Sequence, residues 1–323
     1  MAQIANTYDA YAAKGQREDL ENSIYNITPW ETPGMSSIGR SDAKAVKHEW
    51  QTDALASADA SNAQLEGDDY TFSASSPTKR VGNFCQISRK EAVVSGTLDV
   101  VDKAGRKSEI GYQMEKRAKE LKRDMEKIIF GSNQASSAGT TNSTPRKLGS
   151  FLSWVETNAS RGSGGANGGY NTGTGLTVAA TDGTTRAFAE TQVKAVMQSA
   201  YSNGGKPTML MLPPAQKVNF SAFAGIAINR VNIAPNPKEQ ATIVGAADFY
   251  VSDFGNLAIV PNIFMRSRDA ILLDPEMAAV GYLRSFRRDR PAKTGDAEKR
   301  VVLAEYTLVV RNEAAHGVIA DLT

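Results

Sequence analysis

A chain of 323 residues, 41% of them hydrophobic, has room for two structural units and enough apolar material for a real core. Thirty-seven basic against 35 acidic residues leave a formal net charge of +2, which excludes a global electrostatic pull toward nucleic acid or anionic lipid, so any DNA contact is expected to be local. The one cysteine, Cys85, excludes an intramolecular disulfide and an all-cysteine metal site, and its setting, Asn83-Phe84-Cys85-Gln86-Ile87, reads as a small buried residue on a strand.

From Met1-Ala2-Gln3-Ile4 onward there is no basic patch leading into an apolar run, and no stretch reaches membrane-spanning length, so a cytosolic protein is expected. The first forty-odd residues show little periodicity and end in Thr28-Pro29-Trp30-Glu31-Thr32-Pro33-Gly34. Two prolines so close impose an extended, arm-like path. Ala45 to Trp50 and Lys79 to Lys90 read as strands, joined by the long polar loop Ala54 to Ser76. Between Val101 and Gly131, Ile110, Met114, Leu121, Met125 and Ile128 recur at helical spacing, with Glu109, Lys116, Glu120, Arg123 and Lys127 on the other face. Asp102 or Ser108 is the expected cap, and Gly131 is expected to end the helix as a left-handed residue.

Ser132 to Gly183 is dominated by Gly, Ser, Thr and Asn, with only Leu148 to Val155 apolar enough to pack, and reads as a surface insertion or a segment ordered by contact. A cap at Thr184-Thr185 is expected to open a helix carrying Ala189, Val193, Val196, Met197 and Ala200, stopped by Asn203-Gly204-Gly205. Then come a strand at Thr208 to Leu212, a helix through Phe220 and Phe223, and short strands at Ile243-Val244, Asp248 to Val251, Leu257 to Phe264 and Ala270 to Leu273. A long strand at Val301 to Val310 and a short one at Gly317 to Leu322 close the chain. This order is mixed α+β, without the regular alternation of a doubly wound sheet.

Signals for catalysis are nearly absent. His48 and His316 are far apart and neither has a histidine partner at helical spacing, so both read as structural. The glycine-rich run Arg161 to Gly175 lacks the Lys-Ser or Lys-Thr of a phosphate loop, and no serine sits in a nucleophile elbow. The pairs Asp68-Asp69 and Glu18-Asp19 lie in exposed-looking stretches, where nothing would shift their pKa values for acid-base work. No catalytic residue, cofactor site or metal site is expected. The most charged region, Arg284 to Arg300, reads either as a solvated loop between strands or as a subunit contact, in which Arg287, Arg288 and Arg290 pair with Glu66, Asp68 or Asp69 of a neighbour. Phosphate contact ranks third, because interspersed acids weaken it.

Taken in order, Asp19-Leu20-Glu21-Asn22-Ser23-Ile24-Tyr25-Asn26-Ile27-Thr28-Pro29, Glu31-Thr32-Pro33, Ile38-Gly39, the strands around Trp50 and Asn83 to Ile87, and Gly105-Arg106-Lys107-Ser108-Glu109 leading to Arg123-Asp124-Met125-Glu126 resemble the major capsid proteins of tailed bacteriophages with the Hong Kong 97-type fold. The resemblance implies an N-terminal arm at 1–44 and an extended two-stranded loop at 45–92. A peripheral domain at 93–185 would carry a spine helix at about 103–131 and the 132–183 insertion, with an axial domain at 186–290 and a charged loop plus return strands at 291–323. It further implies pentamers and hexamers tiling an icosahedral head around packaged double-stranded DNA, without sequence-specific binding and with no membrane. Scaffolding, portal and decoration proteins are the implied partners. The subunit would be made in the host bacterial cytoplasm and end in the virion. No obvious scaffolding segment is expected at its start, and no residue matches the family's lysine-asparagine cross-link. The rival readings are a tail-tube or decoration protein, or a soluble enzyme with an unrecognised site.

Overall fold

The computed structural model describes residues 28–70, 72, 74–223 and 248–323. The expected arm up to Ile27 and the strand expected at Ile243-Val244 lie outside the described residues. Two sheets carry the fold. The first has four strands in the order β1 (Gly39–Asp42), β12 (Ala278–Asp289), β13 (Ala297–Val310) and β4 (Gln86–Ser95). The second has six, in the order β5 (Ala159–Ser160), β14 (Gly317–Ile319), β11 (Ala270–Leu273), β8 (Met209–Leu212), β10 (Gly255–Pro261) and β9 (Phe249–Ser252). A ribbon of β2 (Lys47–Thr52) and β3 (Lys79–Phe84) and a small hairpin of β6 (Gly169–Asn171) and β7 (Leu176–Val178) complete the strands.

The helices are α1 (Pro33–Ser37), α2 (Gly96–Val100), α3 (Glu109–Ile129), α4 (Glu190–Ser202) and α5 (Pro214–Ser221). The helix expected at about 103–131 is α3, shorter at its start than the periodicity suggested because the helix does not extend back past Ser108 toward α2. Ser108 is the cap: its Oγ accepts the Gly111 N–H at 3.2 Å. Its buried seam is Ile110, Met114, Leu121, Met125 and Ile129; Ile128 lies half-exposed beside it. Glu109, expected on the solvent face, is instead buried, receiving Gln113 Nε2 at 2.8 Å and paired with Arg106. Gly131 is not left-handed. It is required for close approach, since a Cβ there would stand 1.9 Å from the Phe264 carbonyl oxygen.

The six-stranded sheet explains why its strands read as unbroken apolar runs. In β8, Leu210 and Leu212 face α4 and α5, whereas Met211 faces the core shared with α3; in β11, Ala270 and Leu272 take one side and Ile271 and Leu273 the other. Burial on both faces removes the usual alternation. The α4 stripe forms as read, with Val193, Val196, Met197 and Ala200 buried and Gly204 left-handed at its end, but the helix is entered at Ala189 rather than at Thr184-Thr185.

Several expectations change. The run Lys79 to Lys90 is split at Cys85, where the chain leaves the ribbon and joins the four-stranded sheet; Cys85 is buried, and burial pushes its thiol up to about 11. Strand β12 pairs between β1 and β13 in the four-stranded sheet. The supposed loop from Arg284 to Arg300 is mostly a hairpin of β12 and β13, with Arg287 opposite Leu303 and Arg288 opposite Val302. Charged residues on both strands hide the period; one of them, Glu305, is buried between Arg284 and Arg146, each at 2.6 Å. Of the two readings of 132–183, the structure fits a segment ordered by contact. Leu148, Phe151, Leu152, Trp154 and Val155 enter the main core. Polar side chains hold the rest: Ser136 and Thr177 exchange hydrogen bonds at 2.7 and 2.8 Å, as Asn133 and Ala180 do at 2.6 and 2.9 Å.

His316 is buried edge-on to Phe151, with its Nδ1 accepting the Asp274 N–H at 3.2 Å, and burial pushes its pKa down to about 4. The neutral ring is therefore the folded form, and stability is lost as pH falls from the ordinary histidine value toward 4, by about 3 kcal/mol in total. Asp269, pushed up to about 6 by burial, gains stability over the same fall, so wild type alone would mask the effect. We expect urea unfolding of His316→Gln and wild type to show wild type losing about 2 kcal/mol relative to the variant between pH 7 and pH 4.5; a pH-independent difference would refute the assignment.

Candidate assembly interface

A two-stranded ribbon is marginal alone, so the root of β2 and β3 is where the extended loop must be fixed. Trp154 provides the fixing point. Its indole lies 5.4 Å from Trp50 of β2 on one side and stacks on Tyr170 of β6 at 5.4 Å, with an interplanar angle of 6°, on the other. His48 continues the row 5.9 Å from Trp50. Glu49 ties the two strands by pairing with Arg80 across the ribbon and with Lys47 at 3.3 Å. Beyond this root the chain from Asp53 to Thr78 has no regular secondary structure where described, and Leu55 (99%), Leu65 (82%), Tyr70 (86%) and Phe72 (94%) stand in solvent. Such exposure of large apolar side chains on one protrusion marks an interaction surface.

Helix α1 is held by one carboxylate. Glu126, buried on α3, accepts the backbone N–H of Gly34 at 2.7 Å and of Met35 at 2.8 Å, and the Asn262 Nδ2 amide at 2.6 Å. Those N–H groups open α1 and would otherwise lack partners. Burial raises the Glu126 pKa, and the three donors oppose that rise. The site thus joins α1, α3 and the chain that follows β10.

Of the residues expected to form a subunit contact, Glu66, Asp68 and Asp69 are exposed on the protruding loop. Arg287 is held by Asp289 at 2.9 Å and Arg290 by Glu298 at 2.8 Å, within the β12–β13 hairpin. Arg288 makes no ion pair among the described residues and lines an open groove with Arg40, Lys122 and Phe286. Within this chain the acidic and basic sets are not brought together. Sequence reasoning missed Glu126, Trp154, Arg40 and Lys122, because their roles depend on partners tens to hundreds of residues away and no local pattern announces them.

A long helix laid on a four-stranded sheet, a second sheet flanked by helices, and a protruding ribbon together make the Hong Kong 97-type phage capsid fold. The chain aligns with the Cyanophage A-1(L) capsid asymmetric unit at a TM-score of 0.64 and 11% identity, covering 98% of each chain. With a structure from Mycobacterium phage Adephagia the TM-score is 0.61 at 10% identity, covering 100% of this chain and 99% of the other. The model of the SU10 major capsid protein family matches residues 3–323, and the chain belongs to that family. The major capsid protein of Escherichia phage Phieco32 is 30% identical over 343 residues, covering 96% of this chain and 95% of the relative. The protein is therefore a major capsid protein of a tailed phage, a structural component of the virion. No described helix is long and apolar enough to cross a membrane.

Removing the Glu126 carboxylate leaves the Gly34 and Met35 backbone donors without it, each costing about 1–3 kcal/mol, while the Asn262 amide keeps Met211 Sδ at 3.1 Å. Glu126→Ala is expected to destabilise the subunit by about 3 kcal/mol in chemical denaturation and to expose the Pro33 region to protease; wild-type stability would show that the contact carries no weight.

Proposed function

We propose that this chain, made in the host cytoplasm, assembles as pentamers and hexamers into a closed icosahedral shell around packaged double-stranded DNA. The role is architectural, without catalysis. In this reading 1–44 acts as an arm, 45–92 as the extended loop, 93–185 as the peripheral domain, 186–290 as the axial domain, and 291–323 returns the chain to both. The observation that carries the reading is the ribbon-borne loop, whose large apolar residues stand in solvent in the single chain; in the shell a neighbour would cover them. Contacts between different surface patches close into rings, and rings meet through quasi-equivalent contacts. Scaffolding, portal and decoration proteins are the further partners, and DNA is enclosed without sequence-specific binding, since it brings its own counterions.

Within this reading Arg287, Arg288 and Arg290 contact Glu66, Asp68 and Asp69 of a neighbouring subunit. Deleting Ala54 to Ser76 is expected to leave soluble subunits that form rings at best in negative-stain microscopy, whereas normal shells would refute the loop's role. Reversal of charge in Arg287→Glu with Arg288→Glu is expected to block shell formation while circular dichroism stays unchanged. Unaltered shell yield would sink the charge contact.

A further inference from the structure

The groove beside Arg288 has a defined construction. One wall is the edge strand β1, contributing Arg40 and Asp42; the other is α3, contributing Ala118 and Lys122; the floor is β12 and β13, with Tyr282, Phe286 and Val302. Its volume is about 600 Å³. Register shifts in β12 between Tyr282 and Arg284, and again between Arg284 and Arg287, mark where the ladder is irregular next to Phe286 and Arg288. Bulges of this kind re-aim side chains. The Lys122 ammonium sits 6.0 Å from the Phe286 ring centroid, and the Tyr282 and Phe286 rings are 6.1 Å apart. The groove therefore brings aromatic rings and cationic side chains together.

Among the described residues, Arg40, Lys122 and Arg288 have no carboxylate within ion-pair distance. Arg287 is matched by Asp289, and Asp42 is the acid that lines the groove. Three cations are left to a ligand. The same chain carries a segment of opposite character: Leu65-Glu66-Gly67-Asp68-Asp69-Tyr70-Thr71-Phe72 has three carboxylates, no basic residue and three large apolar side chains. Leu65, Tyr70 and Phe72 are more than four-fifths exposed, and among the described residues Asp68 accepts only the adjacent Asp69 N–H at 3.0 Å. Gly67, left-handed at φ +84°, turns the segment so that Asp68 N–H meets the Leu65 carbonyl at 3.2 Å.

We propose that the groove formed by Arg40, Lys122, Phe286 and Arg288 receives the 65–72 segment of a second copy of this chain. Its carboxylates meet the three cations, and Tyr70 or Phe72 lies on the aromatic floor. The proposal rests on the assembly reading and narrows it. Of the hairpin arginines in that contact, Arg288 is the one with no ion pair among the described residues, and Arg40 and Lys122 join it. Pairing of this kind fixes partner and register more than raw affinity, and it weakens with salt.

The test uses surface substitutions outside the hairpin. Arg40→Glu with Lys122→Glu, and separately Asp68→Lys with Asp69→Lys, are each expected to lower the yield of closed particles at least tenfold at unchanged circular dichroism, and the four substitutions together to restore it. Wild-type yield in either pair, or no restoration in the combined chain, overturns the groove while leaving the capsid assignment intact. A second arm does not depend on shells. A fluorescent peptide of residues 63–74 is expected to bind the unassembled full chain, at least tenfold more weakly when Arg40→Glu and Lys122→Glu are present. Equal binding to both chains overturns the proposal, as does a short DNA duplex that binds this groove and displaces the peptide, which would make phosphate its occupant.

Discussion

One buried carboxylate holds the subunit's separate parts in register. Burying Glu126 alone would cost several kcal/mol, and it is tolerable because two backbone N–H groups and an amide converge on it. Convergence demands space. A Cβ on Gly34 would fall 2.5 Å from the Phe130 ring and 2.6 Å from Glu126 Oε1, so glycine is the residue that lets α1 lie against α3. The chain leaves α1 directly into β1, which pairs in parallel with β12, Gly39 opposite Ala279 and Asp42 opposite Tyr282. The position of β1 on the sheet, and so of Arg40 at its edge, follows from that carboxylate.

The rest of the molecule economises on apolar surface in the same way. Over 132–183 the few large residues, Leu148 to Val155, are driven into the core, and the surrounding Ser, Thr and Asn side chains satisfy backbone groups that a regular sheet would satisfy by ladders. The polar segment then does more than cover. It delivers Trp154 and Tyr170 to the ribbon root, so a region poor in hydrophobic residues sets the direction of the protruding loop.

What could be read from the chain divides along the range of the interactions. Helix α3 and the α4 stripe announce themselves because a helix buries one face and its seam repeats locally; the strands at Met209–Leu212 and Ala270–Leu273 do so because burial on two faces leaves unbroken apolar runs. The β12–β13 hairpin was hidden. Glu305 reads as a solvent residue until Arg284 and Arg146, the latter 159 positions away, are placed beside it. The same holds for Glu126, which looks like one more charge on an amphipathic helix until Gly34, 92 positions earlier, is brought to it. Periodicity carries information about which face is buried, and none about which distant donor makes a buried charge affordable. Of the six residues expected to form the interface, exposure of the three acids was legible from composition. The internal pairing of Arg287 and Arg290 was not, because it requires the strand register.

A single subunit with this arrangement is incomplete by construction. The core closes around α3 and the six-stranded sheet, yet Leu55, Leu65, Tyr70 and Phe72 remain in water on a ribbon with only a short paired root. Leaving them exposed costs stability and solubility in the monomer, so the arrangement persists only where another surface regularly covers them. The opposite end of the requirement is visible on the hairpin: β12 carries register shifts, and Arg40, Lys122 and Arg288 beside them have no carboxylate within ion-pair distance among the described residues. An unpaired apolar-acidic protrusion and an unpaired basic-aromatic groove are each unfavourable alone. In a shell where every copy is both donor and recipient, the proposed loop-groove contact would remove both penalties at once.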